Sequence, residues 1–443
     1  MKRSVTMAVL ASVAILAPSI STGHAAVPSS GFWTALAPAM TPAGGWAPRG
    51  VALASGGTLR LAPSVPSAPS VPSALCAPAD VDGGASVYDA TAGLCAGHDP
   101  ATPGAYHGHN YYNGGRFHYG ALLSPVYAAV PFDHATASWV AVTPPSTWLQ
   151  VHLRVRLETG VWTRWYALPI WASDLETVRR HSIDGQGGAA TVETDTLALR
   201  SGRHATAYQL AVTLFTARTD ASPALHRLSL AVSRASAGVP DPVAASPSAA
   251  WGRDLPAPGR SQMLARYSSS AYGGGGEVWC SPTATSMILA YWARRLGRPD
   301  LDVDVPRVAA GVYDWTYEGT GNWPFNVAYA TSFAGMDGYV ARFPSLAALE
   351  PWIAAGVPLA LSVAFGPGEL PGAPIPSTAG HLLVLRGFDH AGNPLVNDPA
   401  APSDATVPRV YPRAAFARAW LAGSSGTAYV IFPRGWSVPP QEP

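Results

Sequence analysis

From Leu149 to Glu158 the sequence alternates without a break. Leu149, Val151, Leu153, Val155 and Leu157 fall on one side of an extended chain, and Gln150, His152, Arg154, Arg156 and Glu158 on the other. A period of two matches a pleated strand and mismatches a helix, so the stretch predicts an antiparallel strand with one face in a core and one in water. Gly160 turns it into a second, Trp-rich strand through Trp162, Trp165 and Trp171. The alternation returns at Tyr208, Leu210, Val212 and Leu214, and again at Leu228, Leu230 and Val232. Several such strands with turn signals between them predict an antiparallel β-sandwich over residues 117–235. Composition agrees: 44 Gly and 43 Pro, with 15 Trp and 17 Tyr, describe turn-rich β-structure.

The N-terminus decides how the cysteines are read. Lys2 and Arg3 precede an apolar run from about Met7 to Pro18, and Ala25 and Ala26 suit signal-peptidase cleavage. Residues 1–26 are therefore expected to be a secretory signal peptide, with an apolar part too short to span a bilayer. The mature chain is expected to be soluble and exported, extracellular or periplasmic. Charged residues make up 12% and net charge is +1, with Lys2 the only lysine. That scatter excludes a nucleic-acid footprint and an anionic-membrane patch.

In an oxidising compartment thiols pair. Cys76 and Cys95 flank a turn-rich stretch and are expected to form a local disulfide. Cys280 is left over, and an odd cysteine in an exported protein is a candidate reactive thiol.

Residues 27–116 read as a Pro/Ser/Gly-rich irregular region contributing strands to the sandwich, and 236–253 as a linker. The texture then changes. Met287, Ile288, Tyr291, Trp292 and Leu296 recur at helical spacing, with Gly297 as the stop. A second short helix is expected from the N-cap Ser345 to Gly356. "PLALSVAF", "HLLVLRGFD", "PLVNDP" and "TAYVIFP" read as strands. An early helix followed by an antiparallel sheet gives an α+β domain over 254–436.

Pro282 fits only the first turn of a helix, which puts Cys280 at its N-terminus. The unsatisfied N–H groups there favour a thiolate over a thiol of ordinary pKa near 8.5. The Gly273–Gly276 run lets backbone pass close to the sulfur. A thiolate nucleophile needs a base, and His381 stands at the mouth of an apolar strand. That strand turns through "HAGNP" and returns toward Asp398. A two-residue turn at Ala391-Gly392 would set His381 opposite residue 402, so a bulge or longer turn must bring Asp398 near. Asp398 is the candidate to orient the imidazole, and Asn397 the alternative. The Cys280 N–H and the Gln262 amide are candidate oxyanion donors.

"RSQM", "EVWCSPTATSM", "GHLLVLRGFD", "PLVNDPAA" and "VYPRAAFARAW…TAYVIFP" resemble secreted relatives of the bacteriocin-processing (double-glycine) cysteine peptidases, of the papain-like superfamily. The order Gln262, Cys280, His381, Asp398 matches that family. The resemblance covers about 254–436 and implies a papain-like α+β fold and thiol acyl transfer. Two features depart from it. "SSSAYGGGG" lengthens the gap from Gln262 to Cys280, and the chain carries no transporter segment, so a bacteriocin-leader substrate does not carry over. The strand-rich half also resembles the sandwich that precedes this domain in such relatives.

His107, His109 and His118 lie among tyrosines. They read as an aromatic loop, with a zinc or copper site the lesser alternative. Asp314, Glu318 and Asp337 read as surface or turn residues. The expected function is a secreted cysteine peptidase acting on peptide or protein substrates, with no cofactor and no metal. The alternatives are a cell-wall or polysaccharide-binding protein that uses its tryptophans on a papain-like scaffold, and a cell-wall peptide amidase or transpeptidase.

Overall fold

The computed structural model describes residues 30–62, 87–89, 91–98, 115–234, 248–268 and 271–440. These fold as a multidomain, strand-rich chain with antiparallel sheets and few helices. Two sheets belong to the N-terminal half and a third to the C-terminal half.

The expected alternating segment is the strand Thr147–Leu157, paired on one side with Tyr166–Trp171 and on the other with Ala205–Thr216. Its apolar face enters the main core, where Leu149, Val151, Leu153 and Val155 are fully buried. The opposite face departs from expectation. Gln150 and His152 are each 1% exposed. A second apolar cluster, built from Trp148, Ile170, Val178 and Phe215, covers that side, so water reaches the strand only at its far end. Gln150 is accommodated there because its Nε2 donates to Leu168 O at 3.1 Å.

The other N-terminal sheet is centred on His134–Val142 and Ala224–Ser233, which pair along their whole length. Its edge is a hairpin, Ala190–Glu193 and Thr196–Leu199. Inward residues of both sheets join one buried cluster with the C-terminal half.

In the C-terminal half the strands run in the spatial order Met336–Arg342, Thr427–Pro433, Leu359–Phe365, Thr378–Phe388, Pro394–Asn397, Pro408–Val410. The expected helix is present as Cys280–Leu296, closed by Gly297 in the left-handed region (φ 64°). The second expected helix splits into a 3-10 turn, Leu346–Leu349, and a short α-helix, Glu350–Ala354. Ser345 caps the turn through the Ala348 N–H. Three helices escaped the sequence reading: Val305–Val312, Trp323–Ser332 and Arg413–Ser424. Two of them carry Pro in the first turn behind Asp304 and Asn322, whose side chains accept N-terminal N–H groups. Two buried indoles in this half have acceptors: Trp292 Nε1 donates to Ile431 O and Trp420 Nε1 to Thr427 O, both at 2.9 Å. Among the described residues no helix is long and apolar enough to cross a membrane.

The halves meet through ionic and polar contacts as well as apolar ones. Arg227 of the N-terminal half grips Asp337 with two hydrogen bonds of 2.7 Å. Arg180 Nη1 donates to Ala310 O at 2.9 Å, and Ser182 N–H to Asp314 Oδ1 at 2.9 Å. Trp171 packs on Phe325 with ring centroids 5.3 Å apart. Asp314 and Asp337 are therefore buried groups, not surface ones, because each meets donors from the other half. Cys95 lies buried in its strand, and its expected partner Cys76 is outside the described residues.

Arg227→Ala leaves the Asp337 carboxylate buried without its guanidinium. The expected cost is about 3–5 kcal/mol, read as a lower urea midpoint of the full chain. An unchanged midpoint would show that the pair does not hold the halves together.

Candidate active site

Cys280 is the first residue of its helix, as Pro282 requires. The residue before it, Trp279, has no capping side-chain hydrogen bond and is held by burial, its Nε1 donating to Tyr272 O at 2.9 Å. The loop feeding the helix turns through Gly273, Gly274 and Gly275, at φ values of 87°, 123° and 91° that a side chain would strain. Gly276 serves a close approach: a Cβ there would lie 2.1 Å from Gln262 O. The loop thus folds onto Gln262 and presents Cys280, a half-buried residue, at the helix start.

His381 lies on Thr378–Phe388, the strand against which the Cys280 helix packs. It is 3% exposed. Its Nε2 bonds Asp398 Oδ1 at 2.7 Å, which leaves Nδ1 for the sulfur, and imidazole and thiol are near enough for each to shift the ionisation of the other. Asp398 reaches the ring through the register of the hairpin. Phe388 opposes Pro394 and Gly387 opposes Leu395, but Leu385 opposes Val396, so Arg386 is bulged out. The turn itself is wider than two residues, with Asp389 N–H bonded to Asn393 O at 2.9 Å. Turn and bulge together shift the register by two residues, which sets His381 level with Ala400, and the chain covers the remaining two where it leaves the strand after Asn397. Asn397 points elsewhere: its Nδ2 donates to Ala257 O and Pro258 O at 3.0 and 3.2 Å.

Charge is arranged in series. Burial pushes the Asp398 carboxyl up, but the His381 charge and hydrogen bond, with donors from Tyr411 and Ala400, hold it below its ordinary value. Burial pushes the His381 imidazole down, yet Asp398 and then the Cys280 sulfur raise it to about 10. Burial pushes the Cys280 thiol up, and the His381 hydrogen bond and charge, followed by the Leu382 and Ser281 N–H groups, bring it below its ordinary value. The group is poised to exist as thiolate and imidazolium.

Gln262 sits close by, but both its amide hydrogens are taken. Nε2 donates to Gly276 O at 3.0 Å and to Glu277 O at 2.9 Å, and Oε1 is buried without a partner. In this arrangement its amide fastens the glycine loop and is not free to meet an oxyanion. The Cys280 N–H is free for that purpose, making no backbone hydrogen bond among the described residues.

The sequence reading missed Tyr411, whose hydroxyl donates to Asp398 Oδ2 at 2.7 Å. It also missed Tyr429, bonded to Ser281 Oγ at 2.8 Å. Both are buried tyrosines, and nothing in their local sequence separates them from core residues. Of the histidine loop, His107 and His109 lie outside the described residues, while His118 Nε2 contacts Asp89 Oδ2 at 3.0 Å. Trp162 and Trp165 are half-buried and flank the Arg154 guanidinium at 4.9 and 4.7 Å.

Residues 255–427 match the model of the Peptidase_C39 like family, and residues 81–233 that of the Peptidase C39 N-terminal domain. No curated protein matches the chain significantly. A crystal structure of a C39-like peptidase from Bacillus anthracis is similar over 40% of this chain and 96% of that one, at 17% identity and a TM-score of 0.29, a likeness too slight to bear on the fold. By its two matched regions, in this order along the sequence, the chain carries a Peptidase C39 N-terminal domain followed by a domain of the Peptidase_C39 like family.

Proposed function

We propose that the chain is a secreted cysteine peptidase, a thiol acyl hydrolase of peptide bonds working through Cys280, His381 and Asp398. The observation that carries this is the buried His381–Asp398 pair, 2.7 Å apart, beside a thiol at a helix start whose pKa the imidazole lowers. Peptide substrate follows from the family. Export follows from the first 26 residues, and the same context favours a Cys76–Cys95 disulfide. In this reading the N-terminal half is a β-sandwich and residues 254–436 are a papain-like α+β domain.

The thiolate of Cys280 attacks the scissile carbonyl carbon, and the carbonyl becomes an oxyanion beside the Cys280 N–H. His381, already protonated, gives its proton to the leaving amine as the C–N bond breaks. The neutral ring then takes a proton from water, whose oxygen attacks the thioester, and the thiol–imidazole pair is restored. Asp398 holds Nε2 and stabilises the imidazolium throughout. Gln262 is a positioning residue for the loop that sets the sulfur. The same chemistry serves a cell-wall peptide amidase, with water as the acceptor, or a transpeptidase, in which an amine replaces water. The half-buried Trp162 and Trp165 beside Arg154 favour an additional ligand-binding role for the N-terminal half, such as cell-wall polysaccharide.

Cys280→Ala is expected to abolish peptide hydrolysis, a loss of about 10³-fold or more, with an unchanged circular dichroism spectrum. Residual hydrolysis within tenfold of wild type would sink the assignment.

The pH profile of iodoacetamide alkylation carries a sign. The ion pair forms as pH rises through the lowered thiol value, and the imidazolium is lost as pH rises through about 10. Alkylation is therefore expected to be fast well below the ordinary thiol range near 8.5. In His381→Ala the reactive limb moves to higher pH. An identical profile for both proteins would count against the pair.

Tyr411→Phe removes one donor from the ionised Asp398. It is expected to lower kcat by about tenfold with KM nearly unchanged, since a hydrogen bond to a charged group contributes about 1.5–3 kcal/mol. A change confined to KM would exclude the role.

A further inference from the structure

The hairpin at the edge of the N-terminal half does more than close a sheet. Between Ala190–Glu193 and Thr196–Leu199 its tip enters the seam between the halves, where a cavity of about 420 Å3 is lined by Glu193, Asp195, Tyr317, Trp323 and Arg342, among others. Thr194 takes a φ of 57° at the tip, a conformation that a β-branched residue adopts only when its surroundings impose it.

Two charges of opposite sign face this space without closing on each other. Asp195, 6% exposed, accepts the Trp323 N–H at 2.6 Å and the Thr196 hydroxyl at 2.9 Å. Arg342, 5% exposed, donates to neutral hydroxyls alone, those of Ser233 and Thr136, and its Nε is buried without a partner. Each feels the other's charge, and Arg342 that of Asp133 as well, yet Asp195 and Arg342 form no ion pair. Burying unlike charges apart is costly unless something between them completes both. A small molecule carrying an ammonium and a carboxylate close together does that. Glu193, at the rim, adds to the cation end.

The cavity also lies on the same side of the fold as the thiol. Tyr317 lines it, is 50% exposed, and lies within reach of the charges of both Cys280 and Asp195. Tyr429, bonded to Ser281 beside the nucleophile, feels the same two groups.

We propose that this cavity is a recognition subsite for a zwitterionic α-amino-acid head group, its ammonium received by Asp195 and Glu193 and its carboxylate by Arg342. As a subsite of the hydrolase it rests on the function proposed above; as a binding site it stands by itself. The N-terminal half then supplies specificity to the C-terminal half.

The test uses the full chain carrying Cys280→Ala and isothermal calorimetry with alanine, ethylamine and propionate, three probes of like size. Saturable alanine binding is expected, with each single-charge probe at least tenfold weaker. Asp195→Asn is expected to weaken alanine about tenfold, and Glu193→Gln, at an exposed position that leaves folding intact, severalfold. No saturable alanine binding, or equal binding of all three probes, overturns the subsite. Peptide hydrolysis by the wild-type chain is measured alongside. Hydrolysis without alanine binding removes only the subsite, whereas alanine binding without hydrolysis removes the hydrolase and leaves the site.

Discussion

An ionised carboxylate sealed from water persists only where donors and a counter-charge surround it. Asp398 is fully buried and has both: the His381 ring on one oxygen, the Tyr411 hydroxyl on the other, and the Ala400 N–H besides. Because that negative charge has no exit, the imidazole beside it is held protonated to about pH 10, and the imidazolium in turn favours a thiolate at Cys280. The positions of strand and helix serve this line. The Arg386 bulge sets how far the hairpin returns before Asp398 leaves it, and the packing of the Cys280 helix on His381's own strand sets where the sulfur lies.

Much of this corner was legible from local chemistry. Pro282 fixes the helix start, Gly297 its end, and a lone cysteine ahead of the proline names the sulfur. His381 and Asp398 were readable as two ends of one hairpin, though not in register, since a bulge at Arg386 leaves no mark in an apolar run. What stayed hidden depends on tertiary partners. Tyr411 looks like any core tyrosine until its hydroxyl is seen on Asp398. Gln262 was readable as a polar group ahead of Cys280. Only the folded glycine loop shows its amide spent on the carbonyls of Gly276 and Glu277. Periodicity found the strands Thr147–Leu157 and Ala205–Thr216, but it assumed a wet outer face where a second apolar cluster sits.

The seam between the halves explains why two carboxylates were misread as surface groups. Asp337 lies within a fully buried strand and Asp314 among turn residues, and each is tolerated because the N-terminal half brings it donors: Arg227 to one, Ser182 to the other. Sequence patterns within one half cannot reveal a counter-charge supplied by the other. The same holds for Asp195, which reaches the Trp323 N–H across the seam. Buried charges that cross an interface with this regularity fix one relative placement of the halves, because any slip would strand several of them at once.

The cause of the thiol's acidity also differs from what the sequence suggests. The helix start invites an explanation from the helix dipole, and the Ser281 N–H does lower the thiol pKa. Yet burial, the largest influence, opposes ionisation, and the hydrogen bond and charge of His381 weigh more than the neighbouring N–H groups in overcoming it. The helix positions the sulfur; the imidazole ionises it. A cysteine at the same helix end without a charged partner would keep a raised pKa in this half-enclosed site. The ionisation of Cys280 therefore depends on Asp398, on the far side of the imidazole, more than on the element that carries the sulfur.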